Sequence, residues 1–169
     1  MSRRPIYDGR IVHLGLETAQ LPNGRTVELE IIRHPGAAAV VPWHDDNSIT
    51  LVHQYRHAGG GMHHEVPAGV LEAGEDPQAC AARELAEEAQ LGGTLTRLGA
   101  IHTTPGFTDE LIHLFLATDL RVVDGQPDPD ECLDVVRLPV DEVLAMIRRG
   151  EITDAKTICA LHLALGHRD

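Results

Sequence analysis

Apolar and polar residues change rhythm along this chain, and the changes mark its elements. Residues 10–21 and 25–33 flank Pro22-Asn23-Gly24, a turn signal that predicts an antiparallel hairpin. In the second arm Val27, Leu29 and Ile31 alternate with Glu28 and Glu30, so one face of the ribbon is expected to be buried. Residues 36–43 (GAAAVVPW) and 48–56 (SITLVHQYR) read as two further strands joined by a turn at Asp45-Asp46-Asn47. At Asp76 the period becomes helical. Asp76 is a good N-cap, Pro77 suits the first helical position, and alanines, leucine and glutamates follow. Ala81, Leu85 and Ala89 form a stripe suited to packing on a sheet. Strands are predicted at 94–103, 111–120 and 132–138, and helices at 140–149, ended by Gly150, and 154–165.

The helix after Asp76 carries an unusual charge pattern. Glu84, Glu87 and Glu88 stand at i, i+3 and i+4, which places three carboxylates on one face with Cβ atoms about 5–6 Å apart. Helix stability does not ask for such crowding. Hard divalent cations do, because Mg²⁺ and Mn²⁺ prefer several carboxylate oxygens plus water. Taken alone, such a run is more often a solvated acidic face.

Composition narrows the class. A chain of 169 residues with 43% apolar content suffices for one sizeable core, and with 3% aromatics that core must be filled by Val, Ile, Leu and Ala. A net charge of −12 argues against a nucleic-acid surface, though not against a phosphorylated small molecule at a metal-neutralised site. Cys80, Cys132 and Cys159 are scattered and in no C-x-x-C spacing, which suits reduced thiols in a cytoplasmic protein. The start, MSRRPIYDGR, leads into no apolar run, so neither secretion nor membrane insertion is expected.

Gly69, five residues, Glu75, seven residues, then Arg83-Glu84-Leu85-x-Glu87-Glu88-x-x-Leu91 resembles the Nudix box, G-x5-E-x7-R-E-U-x-E-E-x-G-U with U aliphatic. Eight of its nine fixed positions match, and Gln90 stands where the family has glycine. That glycine ordinarily turns the chain out of the helix at positive φ. Gly92 and Gly93 follow and are expected to take over the turn by extending the helix. The resemblance implies an α+β Nudix fold, a mixed β-sheet sandwiched between helices (α/β/α) with an N-terminal antiparallel hairpin. Residues 1–35 would be a hairpin used for dimerisation, as in the nearest families, and 36–169 the hydrolase domain.

The resemblance also implies roles for residues around the box. Glu84, Glu88 and Glu87, the last direct or through water, would hold Mg²⁺ or Mn²⁺ together with the backbone carbonyl of Ala68, the residue before the box glycine. Arg83 would pair with Glu87 or with Glu75 and so aim the ligands. Arg56 leaves its strand beside the box, and its planar fork suits phosphate oxygens, the plain alternative being an edge arginine. Glu65 touches substrate or orders the loop, unless it is a solvent-exposed strand residue. The histidines at 57, 63 and 64 lie among glycines without cysteine nearby and make a poor zinc site. Pro105-Gly106-Phe107 predicts a type II turn. Its loop, running on to Asp109 and Glu110, resembles that of ADP-ribose pyrophosphatases, where Phe107 would lie near sugar or base and Glu110 near the ribose or the metal shell.

A polar loop after 122 carries Asp124, Asp128, Asp130 and Glu131, with Asp134 just beyond. The resemblance places the water-activating general base on this loop. Glu131 fits best, ahead of Asp130 and Glu87. Gly150-x-Ile152-x-Asp154-Ala155-Lys156-Thr157 also resembles the end of the same enzymes, with Lys156 read as structural. The implied activity is metal-dependent hydrolysis of ADP-ribose or a related nucleoside diphosphate sugar by a cytoplasmic homodimer. Alternatives are GDP-mannose or another nucleotide sugar as substrate, a non-catalytic sensor of the same fold, or an interaction domain with an acidic surface helix.

Overall fold

The computed structural model describes residues 2–125 and 132–168, whose strands fall into three sheets. The first is antiparallel, in the order β1 (Arg3–Asp8), β2 (His13–Gln20), β3 (Thr26–Arg33). The hairpin between β2 and β3 closes at Pro22-Asn23-Gly24, where Gly24 takes φ 82° and its N–H donates to the Leu21 carbonyl at 2.9 Å. Strand β1 has no counterpart in the sequence reading. Its residues are all exposed, so it carries no alternation for a sequence to betray. The expected buried face is also not met within the chain: Leu29 is 39% exposed, and Ile6, Tyr7, Ile11 and Val12 are exposed as well. The reason is positional, since the three helices pack on the other two sheets.

Those sheets form the core. β4 (Ala37–Pro42) is buried at every position and pairs antiparallel with β7 (Ala68–Val70) and parallel with β9 (Leu111–Val122). β8 (Leu91–His102) completes this mixed sheet by pairing antiparallel with β9. The third sheet is antiparallel, with β5 (Ser48–Arg56) between β6 (Gly61–Glu65) and β10 (Leu133–Pro139). A single 3-10 turn, His57–Gly59, separates β5 from β6.

Three helices cover the sheets: α1 (Pro77–Ala89), α2 (Val140–Arg149) and α3 (Ala155–Arg168). Alternation along β4 sends its small side chains two ways. Ala38 and Val40, with Phe115 and Ala117 of β9, pack against Cys80, Ala81, Leu85 and Ala89 of α1. Ala37, Ala39 and Val41, with Leu114 and Leu116, meet Ile49 and Leu51 of β5 and the α2–α3 side chains Val143, Ala160, Leu161 and Ala164. Each large apolar side chain buried in this way contributes about 1.5–3 kcal/mol. The predicted stripe Ala81-Leu85-Ala89 is therefore the face by which α1 seats on the sheet. No helix is long and apolar enough to cross a membrane among the described residues.

Two local expectations are corrected. Helix α1 does not extend into Gly92 and Gly93, which lie in β8. Gln90 itself turns the chain, adopting φ 54° and ψ 36°, with its N–H directed to the Ala86 and Leu85 carbonyls. A strand that must begin at Leu91 leaves no room for a longer helix, so a non-glycine residue accepts a conformation that costs about 1–2 kcal/mol. The Pro105-Gly106 turn is not type II either, because Gly106 is not among the residues at positive φ. The N–H groups of Phe107 and Thr108 both donate to the Thr104 carbonyl, each at 3.2 Å, which winds the segment as a helical turn.

Candidate functional site

Helix α1 begins where predicted. The Asp76 carboxylate accepts from the N–H groups of Gln78 and Ala79 at 2.9 and 3.4 Å, satisfying donors that a helix start leaves open. One turn from its C-terminus the helix turns Glu84 and Glu88 inward, 8% and 2% exposed, whereas the Glu87 side chain is 42% exposed. The buried face looks onto β7. The Ala68 N–H donates to Glu88 Oε2 at 2.9 Å. Gly69 lies under Glu84 so closely that a Cβ there would fall 1.7 Å from Glu84 Oε1. A glycine is needed because backbone and carboxylate occupy the place of a side chain.

Arg83 ties the loop to the helix. Its Nε and Nη2 donate to the two oxygens of Glu75, both at 3.0 Å, Nη1 donates to Glu84 at 2.6 Å and to Glu87 at 3.1 Å, and Nη2 also reaches the Val70 carbonyl at 3.2 Å. The two pairings considered from sequence, Glu75 and Glu87, thus occur together, with Glu84 added. The Arg83 hydrogen bond, aided by the Glu72 N–H, holds the Glu75 carboxyl down to about 2. Cys80, beneath this arginine, has its thiol pushed up to about 12, mainly by burial. It is an inert packing group, and the three cysteines are free.

A second cluster forms at the end of β5. Glu65 is 3% exposed, so it is not a solvated strand residue. Arg56 grips it bidentately, Nε to Oε1 and Nη2 to Oε2, both at 2.9 Å, and Lys156 Nζ from α3 also donates to Oε2. Burial opposes the Glu65 charge, but the hydrogen bonds and charges of Arg56 and Lys156 prevail and bring its carboxyl to about 2. The Glu65 hydrogen bond above all, against the effect of burial, raises the Arg56 pKa, and the charges of Glu65, Glu88 and Asp154 add to it. Of the α1 carboxylates, Glu88 is thus the one whose charge Arg56 feels.

Other predicted residues lie elsewhere. Pro105, Gly106 and Phe107 sit exposed on a loop fastened to β3: the Ile32 N–H donates to the Phe107 carbonyl at 2.8 Å, and Arg33 Nη1 and the His34 N–H reach Asp109 at 2.8 and 2.9 Å. Glu110 accepts from the Thr103 hydroxyl at 2.7 Å and stands 3.6 Å from His34 Nε2. Glu131, with Asp128 and Asp130, lies outside the described residues. Gly125, just before that segment, rests on α1, where an added Cβ would fall 1.7 Å from the Ala86 carbonyl. Lys156, expected to be structural, instead meets the buried Glu65 carboxylate, a contact that no local pattern around Asp154-x-x-Thr157 announces. Gln54, to which the sequence assigns no role, is a buried side chain whose Oε1 has no hydrogen-bond partner among the described residues.

Hard oxygen donors suit this place. Two buried carboxylates one turn apart would cost several kcal/mol per ion in desolvation without cations to offset them. Arg83 answers part of that charge, and a divalent cation is the partner that such oxygens and the carbonyl of Ala68 fit. Among the described residues no three His, Cys, Asp or Glu side chains converge so as to hold a metal ion; Arg83 donates to Glu84 and the Ala68 N–H to Glu88.

The site is thus a loop–helix unit of buried glutamates mounted on a mixed sheet between helices. Residues 33–161 match the NUDIX domain family, and the chain belongs to that family as an enzyme of the Nudix pyrophosphohydrolase type, whose members generally need divalent cations. It is 38% identical to an ADP-ribose pyrophosphatase of Bacillus subtilis over 95% of this chain and 89% of the relative. It is 42% identical to the methanol dehydrogenase activator of Bacillus methanolicus, covering 92% of this chain and 86% of the relative. The fold is shared with a crystal structure of an ADP compounds hydrolase, with TM-score 0.84, 22% identity, and coverage of 98% of this chain and 91% of the other.

Proposed function

We propose that this protein hydrolyses the pyrophosphate bond of a nucleoside diphosphate sugar, ADP-ribose foremost, with water yielding AMP and ribose 5-phosphate. The observation that carries the reading is the pair of buried carboxylates, Glu84 and Glu88, set against β7 by Gly69 and the Ala68 N–H. Glu84, Glu88 and the Ala68 carbonyl would hold Mg²⁺ or Mn²⁺, with Glu87 direct or through water. The cations supply charge screening, phosphate orientation and a lowered pKa for bound water. Arg83 aims the carboxylates, Arg56 presents its free edge to phosphate oxygens, and Glu65 orders Arg56. Glu131 takes the proton of the attacking water. Pro105, Gly106, Phe107 and Glu110 receive the sugar or base end of the substrate.

The exposed apolar side chains of the first sheet, Ile6, Tyr7 and Leu29 among them, support residues 1–35 as the surface of a homodimer. Three free thiols suit a cytoplasmic setting. The Bacillus methanolicus relative is named for its effect on another enzyme. The complete carboxylate set here favours hydrolysis as the primary activity. Incubation with ADP-ribose, GDP-mannose and other nucleotide sugars plus Mg²⁺, with products separated by chromatography, tests the reading. AMP and ribose 5-phosphate are expected from ADP-ribose, and the absence of any metal-dependent product from the whole series overturns it.

A further inference from the structure

The Arg56–Glu65 pair continues into Lys156, a charged side chain to which the proposed reaction gives no role. This lysine is on the first turn of α3, far in sequence from the box. Its ammonium donates to Glu65 Oε2 and, at 3.0 Å, to Asp154 Oδ1, and its side chain is 13% exposed. Beside it Thr157 locks the same turn to the strand leading into the box: the Thr157 hydroxyl accepts the Val66 N–H at 2.9 Å and donates to Asp154 Oδ2 at 2.6 Å. Asp154 also accepts the Thr157 N–H at 2.9 Å, capping α3.

Desolvating a lysine costs several kcal/mol unless its partners compensate, so a structural helix start has no need of one. What Lys156 touches suggests its use. Glu65 spends both oxygens on the Nε–Nη2 edge of Arg56, and Nη1 makes no hydrogen bond among the described residues. The guanidinium is therefore held by one edge and offers the other. A carboxylate shared with Arg56 alone would cancel most of its positive charge at the open edge. Lys156 supplies a second positive charge to Glu65 and restores that field.

We propose that Lys156 is a positioning residue for phosphate recognition: through Glu65 it fixes the orientation of Arg56 and keeps its free edge electropositive toward the diphosphate. The inference rests on the assignment of Arg56 to phosphate made above.

The test is a double-mutant cycle with Lys156→Met and Arg56→Ala, plus Lys156→Arg as a conservative variant, followed by kcat, KM and thermal unfolding. Lys156→Met is expected to lower kcat/KM about 10–100-fold in the wild-type background and less than about threefold in Arg56→Ala. Lys156→Arg is expected to recover most of the loss. Independent, additive losses overturn the proposal. So does a lowered Tm with unchanged kcat/KM, which is the mark of a structural lysine. Should Lys156→Met fail to fold, Lys156→Gln serves in the same cycle. Failure of the wild type to cleave ADP-ribose would count against the function proposed above, not against this inference. Calorimetric binding of magnesium pyrophosphate then reads the Lys156 effect directly, and unchanged affinity in Lys156→Met overturns it.

Discussion

Gly69 and Glu84 occupy space that only one of them can fill with a side chain: a Cβ on the glycine would lie 1.7 Å from the glutamate's Oε1. The glutamate is also held by Arg83 at 2.6 Å. A methyl group at position 69 must therefore push the carboxylate out of its place. Gly69→Ala is expected to keep the fold, since the displaced atoms end a flexible side chain, yet to lower kcat about 100-fold, the usual cost of an ångström of misplacement at a reacting centre. Steady-state kinetics beside a melting curve checks this. A fully active Gly69→Ala enzyme would show that Glu84 need not stand where it does.

Removing charge without volume probes the same face. Glu84→Gln and Glu88→Gln are each expected to abolish turnover, by about a thousandfold or more, because several kcal/mol of transition-state stabilisation is routed through these oxygens. In Glu88→Gln the amide oxygen still accepts the Ala68 N–H, so the fold survives. Paramagnetic Mn²⁺ binding should weaken in parallel. Wild-type rates in either variant contradict the metal assignment.

The Glu65 cluster makes a prediction in acid. Its folded carboxyl sits near 2 against an ordinary value of 4.5, so the unfolded chain binds the extra proton between these limits. The stabilisation is thus complete above pH 4.5 and is lost as pH falls through about 2. Denaturant titrations at successive pH values should show wild-type stability falling more steeply across this window than that of Glu65→Gln. Parallel curves would mean that the clamp on Glu65 is absent in solution.

Gln90 holds a left-handed conformation at the end of α1 that glycine adopts without strain. Gln90→Gly is expected to stabilise the protein by about 0.5–1 kcal/mol, the relieved strain outweighing the added freedom of the unfolded chain. Urea unfolding measures it. A destabilised variant would indicate that the Gln90 side chain contributes packing of its own.

The N-terminal sheet leaves Leu29 and Tyr7 exposed on a single chain. If this surface joins two copies, Leu29→Arg should shift the molar mass from dimer to monomer in light scattering. An unshifted mass would remove Leu29 from any such interface.

By itself the sequence determined the elements whose cause is local. The cap at Asp76, the α1 stripe, the Gly24 turn, the limits of α2 and the loop–helix spacing of the glutamates were all legible because each depends on neighbours within a turn or a strand. Only the tertiary structure decided the rest. That Gln90 must turn the chain follows from where β8 has to start, and that Arg83 serves three carboxylates follows from the loop folding back on the helix. Glu65 and Lys156 lie 91 positions apart, and they pair because the first turn of α3 reaches the end of β6, where Thr157 also accepts the Val66 N–H. No periodicity encodes such a contact. Its driving force is the need to neutralise a charge removed from water, which exists only once the chain has closed around it.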